Sequence, residues 1–324
     1  MTRNLCIGAL ALASFAGLAS AQDGLIVGFD DTTQGATVAW IRQGSNWNPL
    51  FEYTTATGNV DVWGLAGDPA TCTLYISNGF ELFTLRPGES SPTRVADFTF
   101  DGVNRSVVGL AWLNGRLIGY SGVTDEGFYE IDTTTAVATR VWTGTEGGFL
   151  TAWDFGGIDS DGTTLYGFTD AGPTGEPRGL YRIDLTARTL TLVRANFLFP
   201  GNTTNLTAPD VDGLAVGNGR AFLVIDNPGD IPVLELPGGA SLPETITAPF
   251  PTSEIFSGGA YLPCFLSPPA CRPDLNADGE LTFDDIQLFV QLYNANDARA
   301  DFNNDQEWTF DDIQLFIQLF NAGC

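Results

Sequence analysis

The sequence predicts a mainly β chain that closes into a five-bladed β-propeller through its own two ends, followed by a small α-helical module with two loops. Three observations predict this. Residues 23–264 contain few helix signals and many short β-branched and aromatic runs, separated by Gly, Asp, Asn, Pro and Thr. Within them, segments resembling Gly-Leu-Ala recur at a spacing of about 45 residues, the period of a four-stranded blade. The last 51 residues hold two copies of one loop-and-helix unit, 27 residues apart.

The repeating segments are Trp63–Ala66, Val108–Ala111, Gly156–Asp159, Asp212–Ala215 and Gly258–Tyr261. They are read as the innermost strands, where glycine lets neighbours crowd the axis. The first four are each followed by a second strand: Leu74–Ile76, Leu117–Tyr120, Leu165–Phe168 and Phe222–Ile225. Third strands follow at Leu82–Leu85, Phe128–Ile131, Leu180–Ile183 and Val233–Leu236. Fourth strands fall at Arg94–Phe98, Thr139–Trp142, Leu190–Val193 and Glu244–Thr247. Leu25–Phe29, Val38–Ile41 and Pro49–Tyr53 look like a blade without its first strand, and Phe256–Leu262 like a first strand without its blade. Joining the two closes the ring and removes its open edges. This part resembles β-propeller repeat proteins of the Leu-Tyr-x-Ile-Asp type, a likeness that fixes no activity.

In the tail, the first loop runs from Asp274 to Asp285 and the second from Asp301 to Asp312. Asp274, Asp278 and Asp285, and Asp301, Asp305 and Asp312, place carboxylates at loop positions 1, 5 and 12. Asn276 and Asn303 stand at position 3. These are the hard oxygen ligands that Ca²⁺ requires. Each loop runs into a matching helix, Ile286–Ala295 and Ile313–Ala322. The segment from Cys271 to Cys324 resembles a dockerin. Its Ala322-Gly-Cys324 ending is similar to that of GC-type dockerin domain-anchored proteins. The resemblance implies two Ca²⁺ sites, with the Glu280 and Glu307 carbonyls and positions Thr282 and Thr309 completing them. Gln306 stands where the first copy has Gly279, at a sharp turn, and a non-glycine there costs about 1 kcal/mol. The second site is therefore expected to be the weaker. Apolar residues surround most of each helix, more than one intramodule face can bury. Phe289 and Phe316 are taken as the partner-binding residues. Phe283-Asp284 and Phe310-Asp311 occupy positions where cellulosomal dockerins carry small hydroxyl residues, which puts a standard cohesin in question. The implied partner is a cohesin-like or envelope protein.

Composition narrows the functions further. The chain has a formal charge of −25, no histidine and no lysine, so all 14 of its cations are arginines. That excludes a nucleic-acid footprint and rules out His-dependent triads, His zinc sites and Lys Schiff bases. Arg3, the apolar run Ile7–Leu18 and Ala19-Ser20-Ala21 read as a cleavable secretory signal, too short for a membrane span. The expected domains are a signal peptide at 1–21, the propeller at 22–264, a linker at 265–273 and the dockerin-like module at 274–324. The protein is expected to be secreted or associated with the cell surface.

Four cysteines follow the signal, and export makes disulfides plausible. Cys271 and Cys324 flank the dockerin-like module, so the resemblance favours pairing them. Cys72 and Cys264 would then latch the ring where its ends meet. The rival pairing, Cys264 with Cys271, would close a small local loop.

Propellers place ligands at an axial mouth. Asp61, Arg105, Asp154, Asp210 and Asp212 fall near the starts of the inner strands. They could hold a cation or a ligand, act as acid and base on a sugar, or simply punctuate loops entering strands. The tryptophans read as core more readily than as a sugar platform. The function expected is a secreted calcium-binding protein whose propeller binds or displays a glycan or protein and whose tail tethers it. A polysaccharide hydrolase on the same tether and a structural envelope protein are the alternatives.

Overall fold

The computed structural model describes residues 24–29, 37–52, 61–122, 126–144, 153–171, 173, 175–195, 211–225, 230–247, 256–266, 273–276, 281–302 and 307–322. The expected signal peptide, most of the expected linker, Cys271 and Cys324 lie outside them. In chain order the strands are β1 (Leu25–Phe29), β2 (Thr37–Gln43), β3 (Asn46–Glu52), β4 (Gly64–Asp68), β5 (Thr73–Ser77), β6 (Glu81–Leu85), β7 (Thr93–Asp97), β8 (Thr99–Phe100), β9 (Val103–Asn104), β10 (Gly109–Leu113) and β11 (Arg116–Ser121). They continue as β12 (Gly127–Ile131), β13 (Ala138–Thr143), β14 (Asp154–Ser160), β15 (Leu165–Ala171), β16 (Gly179–Asp184), β17 (Thr189–Ala195), β18 (Val211–Gly217), β19 (Arg220–Ile225), β20 (Asp230–Glu235), β21 (Ser241–Thr247) and β22 (Phe256–Tyr261). Two helices follow, α1 (Phe283–Asn294) and α2 (Phe310–Ala322).

Twenty of the strands form five four-stranded sheets, with orders β4-β5-β6-β7, β10-β11-β12-β13, β14-β15-β16-β17, β18-β19-β20-β21 and β22-β1-β2-β3. The last is the expected composite blade. Its two ends pair antiparallel, from Leu25 opposite Tyr261 to Phe29 opposite Phe256. The strands β4, β10, β14, β18 and β22 each lie beside the next and return to β4, so the ring is closed. The hairpin of β8 and β9, inserted between two blades, has no counterpart in the sequence reading.

Glycine is required where inner strands meet. A Cβ on Gly156 would lie 2.2 Å from the Val211 carbonyl oxygen, and one on Gly157 would lie 2.5 Å from the Leu214 amide nitrogen. Both are well inside van der Waals contact. The axial space lined by Gly64, Gly109, Gly157, Gly213 and Gly258 has no volume that a water could occupy. The axis is backbone packed on backbone.

Alternate residues of each strand face the neighbouring blades. Val38, Ile41 and Phe51 of the composite blade pack with Leu65, Leu74, Ile76 and Phe83 of the next. Phe128, Trp142, Trp153, Phe155 and Tyr181 fill another seam. Trp142 and Trp153 are thus core residues, as their place in the sequence suggests. Polar bonds cross the seams as well. Ser257 Oγ donates to the Val62 carbonyl, Ser77 Oγ to that of Val107, and Ser160 Oγ to that of Trp112. The Tyr120 hydroxyl donates to the Trp153 carbonyl at 2.7 Å, and Trp47 Nε1 to the Thr247 carbonyl at 3.3 Å.

The Ile-Asp ending of the repeat also has a local cause. Asp132 and Asp184 follow or close the third strands, and their carboxylates accept N–H bonds from Thr134 and Thr135, and from Thr186 and Ala187. These Asx turns start the return to the fourth strand. The bonds from Thr134 and Thr135 hold the Asp132 carboxyl down at about 2.

The helices have their own core. Phe289, Leu292, Ala300, Phe302 and Phe316 are buried together, with Leu275, Trp308 and Ile313 packed against them. Thr282 caps α1, its side chain accepting from the Asp284 N–H, and the Asp285 carboxylate accepts from the Thr282 N–H in a capping box.

Candidate functional sites

The expected mouth residues differ in burial. Asp61, Arg105 and Asp212 are half-buried and Asp154 is exposed; Asp210 lies outside the described residues. Among the described residues no three acidic or cysteine side chains group closely enough to hold a metal. The Arg105 guanidinium lies 5.7 Å from the Phe100 ring centroid, and its buried Nε has no hydrogen-bond partner among the described residues. Arg140 stacks more closely on the same ring, at 3.8 Å. Arg105 thus belongs with the inserted hairpin.

Cys72 and Cys264 form a disulfide with a Cα separation of 5.9 Å. The bond ties the turn between β4 and β5 to the segment just after β22. It therefore crosses the seam between the composite blade and its neighbour, as expected, and it excludes the rival pairing of Cys264 with Cys271.

A buried carboxylate escaped the sequence reading. Asp159 sits in β14 with almost no exposure, and its Oδ2 accepts the Val216 N–H from β18 of the next blade at 2.6 Å. Inner strands are blade edges, and one blade cannot satisfy all their backbone groups. Asp159 does this across the seam. The signal was visible only as an aspartate in an otherwise apolar repeat segment. Burial raises its carboxyl well above the ordinary value, while bonds from the Val216 and Ser160 N–H groups work against that rise. The fold therefore holds this proton to higher pH than the unfolded chain does. The site's contribution to stability is complete below the unfolded pKa, about 3.9, and is lost as pH rises through the higher folded value. Asp159→Asn keeps an acceptor without the charge. Its stability relative to the parent should increase from about pH 4 toward neutrality, as read by denaturant melts across that range. A pH-independent difference would mean that the carboxylate is ionised in the fold.

In the tail, the two copies have matching geometry. The Asp285 carboxylate is wholly buried and accepts the N–H groups of Leu275 at 2.8 Å and Thr282 at 2.9 Å. Asp312 is equally buried and accepts those of Phe302 at 2.7 Å and Thr309 at 2.8 Å. Every partner is displaced by the repeat offset. Asp274 and Asn276, and Asp301 and Glu307, stand near the ends of the loops. Asp278, Glu280, Asn303, Asp305 and Gln306 lie outside the described residues.

Phe289 and Phe316 are not where a partner could reach them. They are 3% and 2% exposed, and their rings stack on each other with centroids 4.0 Å apart and planes within 6°. The expectation that they form the docking surface is corrected: they hold α1 to α2. The exposed apolar side chains are Phe283 (67%) and Val290 (50%), with their repeat mates Phe310 (70%) and Ile317 (51%). Helical periodicity alone could not separate these two sets, because nearly every face of both helices is apolar.

No family model matches the chain. No curated protein matches it either. Among solved structures, a chain of the crystal structure of a nidogen/laminin complex matches at 9% identity with a TM-score of 0.47, covering 74% of this chain and 97% of that one. No helix among the described residues is long and apolar enough to cross a membrane.

Proposed function

We propose that this chain is an exported calcium-binding protein in two parts. Residues 22–264 form a propeller that binds or displays a glycan or protein. Residues 274–324, joined through 265–273, form a dockerin-like module that tethers it to a cohesin-like or envelope protein. The observation behind this reading is the matched burial of Asp285 and Asp312. A buried carboxylate is costly even when backbone N–H groups bond it, and a cation at the same loop offsets that cost. Asp274, Asn276, Asp278, the Glu280 carbonyl, Thr282 and Asp285 would hold the first ion. Asp301, Asn303, Asp305, the Glu307 carbonyl, Thr309 and Asp312 would hold the second. Calcium would supply the counter-charge that lets each loop close. Cys271 and Cys324 would then seal the module's ends. The duplicated pair Phe283 and Phe310, with Val290 and Ile317, offers the partner an apolar surface in two equivalent copies.

Calorimetry on the mature chain should resolve two Ca²⁺ sites, the one at Asp301 weaker. Gln306→Gly should tighten that site by up to about fivefold, the equivalent of about 1 kcal/mol. A chain that takes up no calcium refutes the reading, and so does capture of envelope proteins that is equal with calcium and with chelator.

A further inference from the structure

A groove of about 390 Å³ opens where the β10–β11, β14–β15 and β16–β17 turns of two adjacent blades meet. That volume falls within the usual range for small-ligand sites, about 300–1,000 Å³. Buried Leu113, Leu165 and Ile183 line its floor. Asn114, threonine hydroxyls and two guanidinium groups, those of Arg116 and Arg182, line its walls. The walls are set before any ligand arrives. The Asn114 N–H donates to the Gly162 carbonyl at 2.8 Å, which links the turns of the two blades. Asp161 accepts two N–H groups and the Thr163 hydroxyl of its own turn, which leaves that hydroxyl's lone pairs to accept from a ligand, and Asp184 accepts two N–H groups of its turn.

The two arginines differ. Arg116 is paired with Glu130 at 2.9 Å. Arg182, opposite Tyr166 in the sheet, has its charge felt by that hydroxyl, but its guanidinium forms no salt bridge with a carboxylate among the described residues. A chain with 39 acidic residues against 14 cations thus leaves a guanidinium without a carboxylate partner among the described residues, at the wall of a groove with threonine hydroxyls and an apolar floor.

We propose that this groove binds a short glycan bearing an acidic group, a carboxylate or a sulfate. The acid meets Arg182 in a charge-assisted, bidentate contact. The sugar hydroxyls meet Asn114 and the threonines, and a C–H face covers the apolar floor. An acidic peptide would satisfy Arg182 but would have little use for so many hydroxyl partners. The inference rests on the reading of the propeller as the part that carries a ligand.

The test is calorimetry of the mature chain in calcium buffer with tetragalacturonate, a sulfated galactan tetrasaccharide, neutral maltotetraose and a tetraglutamate peptide. One of the acidic saccharides should bind best, and which one does identifies the acidic group. Arg182→Gln should weaken it about tenfold or more, and Arg182→Lys should restore part of the loss. Asn114→Gly, which tolerates the positive φ of 51° at that position, should weaken it several-fold. The groove assignment fails if no acidic saccharide binds, if neutral sugar or peptide binds as well, or if Arg182→Gln leaves acid-sugar affinity unchanged. In that last case the propeller remains a ligand carrier and only the groove is wrong.

Discussion

Replacing Cys72 and Cys264 together by serine should lower the unfolding free energy of the propeller by about 5 kcal/mol, the loop-closure entropy for residues so far apart in the chain. The two are separated by 192 residues, so the bond closes nearly the whole ring. A propeller has one seam at which its ends must find each other, and here that seam is the pairing of β1 with β22. Without the bond, the entropy of bringing those ends together falls on that pairing, on the Ser257 bond to Val62 and on the packing around Leu262. Serine suits the comparison because Cys72 already has φ of 50°, so the substitution adds no new backbone cost. Denaturant melts of the oxidised parent and the double variant should show a lower midpoint in the variant. A shift of less than about 1 kcal/mol would mean that strand pairing alone holds the ends, and that the bond constrains little of the unfolded chain.

Replacing either Phe289 or Phe316 by alanine should unfold the helical module while leaving the propeller intact. Removing a buried phenylalanine costs about 3–5 kcal/mol, and a core in a module this small supplies about that much in total. Each ring packs against the other and against Phe302, so losing one also strips the other of its contacts. Limited proteolysis should then cut within the tail, and the two proposed calcium sites should be lost with it. Phe283→Ala and Phe310→Ala remove exposed rings and should change stability by no more than about 0.5 kcal/mol, while weakening attachment to the proposed partner. A Phe316→Ala protein with a protease-resistant tail would show that α1 and α2 are held by something other than this stack.

The blades were legible because each strand repeats a local signal. Alternating apolar residues and a glycine at the axis recur in one order, joined in two blades by an aspartate at the exit of the third strand. The composite blade followed by subtraction, since three strands at one end and one at the other complete a single unit. The inserted β8–β9 hairpin was not legible, because it occurs once and a pair of two-residue strands has no periodicity. Asp159 was not legible as a special residue either. Its role depends on Val216, 57 residues away, and no local pattern connects them.

The tail shows the same division. Repetition of the loop and helix, the spacing of their carboxylates and the excess of apolar residues are all properties of the chain alone. Which phenylalanine faces inward is not. In a helix that is apolar on most sides, the buried side is chosen by where the second helix lies, and only the packed structure brings Phe289 onto Phe316 and leaves Phe283 and Phe310 in solvent. The ring follows the same rule. The sequence by itself determined the number of blades, their strand order and the cysteines able to latch them, because these arise from short-range periodicity and chain connectivity. Only the tertiary structure decided that the axis is filled by backbone, that Asp159 bridges two blades and that Arg182 stands at a groove between turns. Those depend on contacts between segments that no local pattern relates.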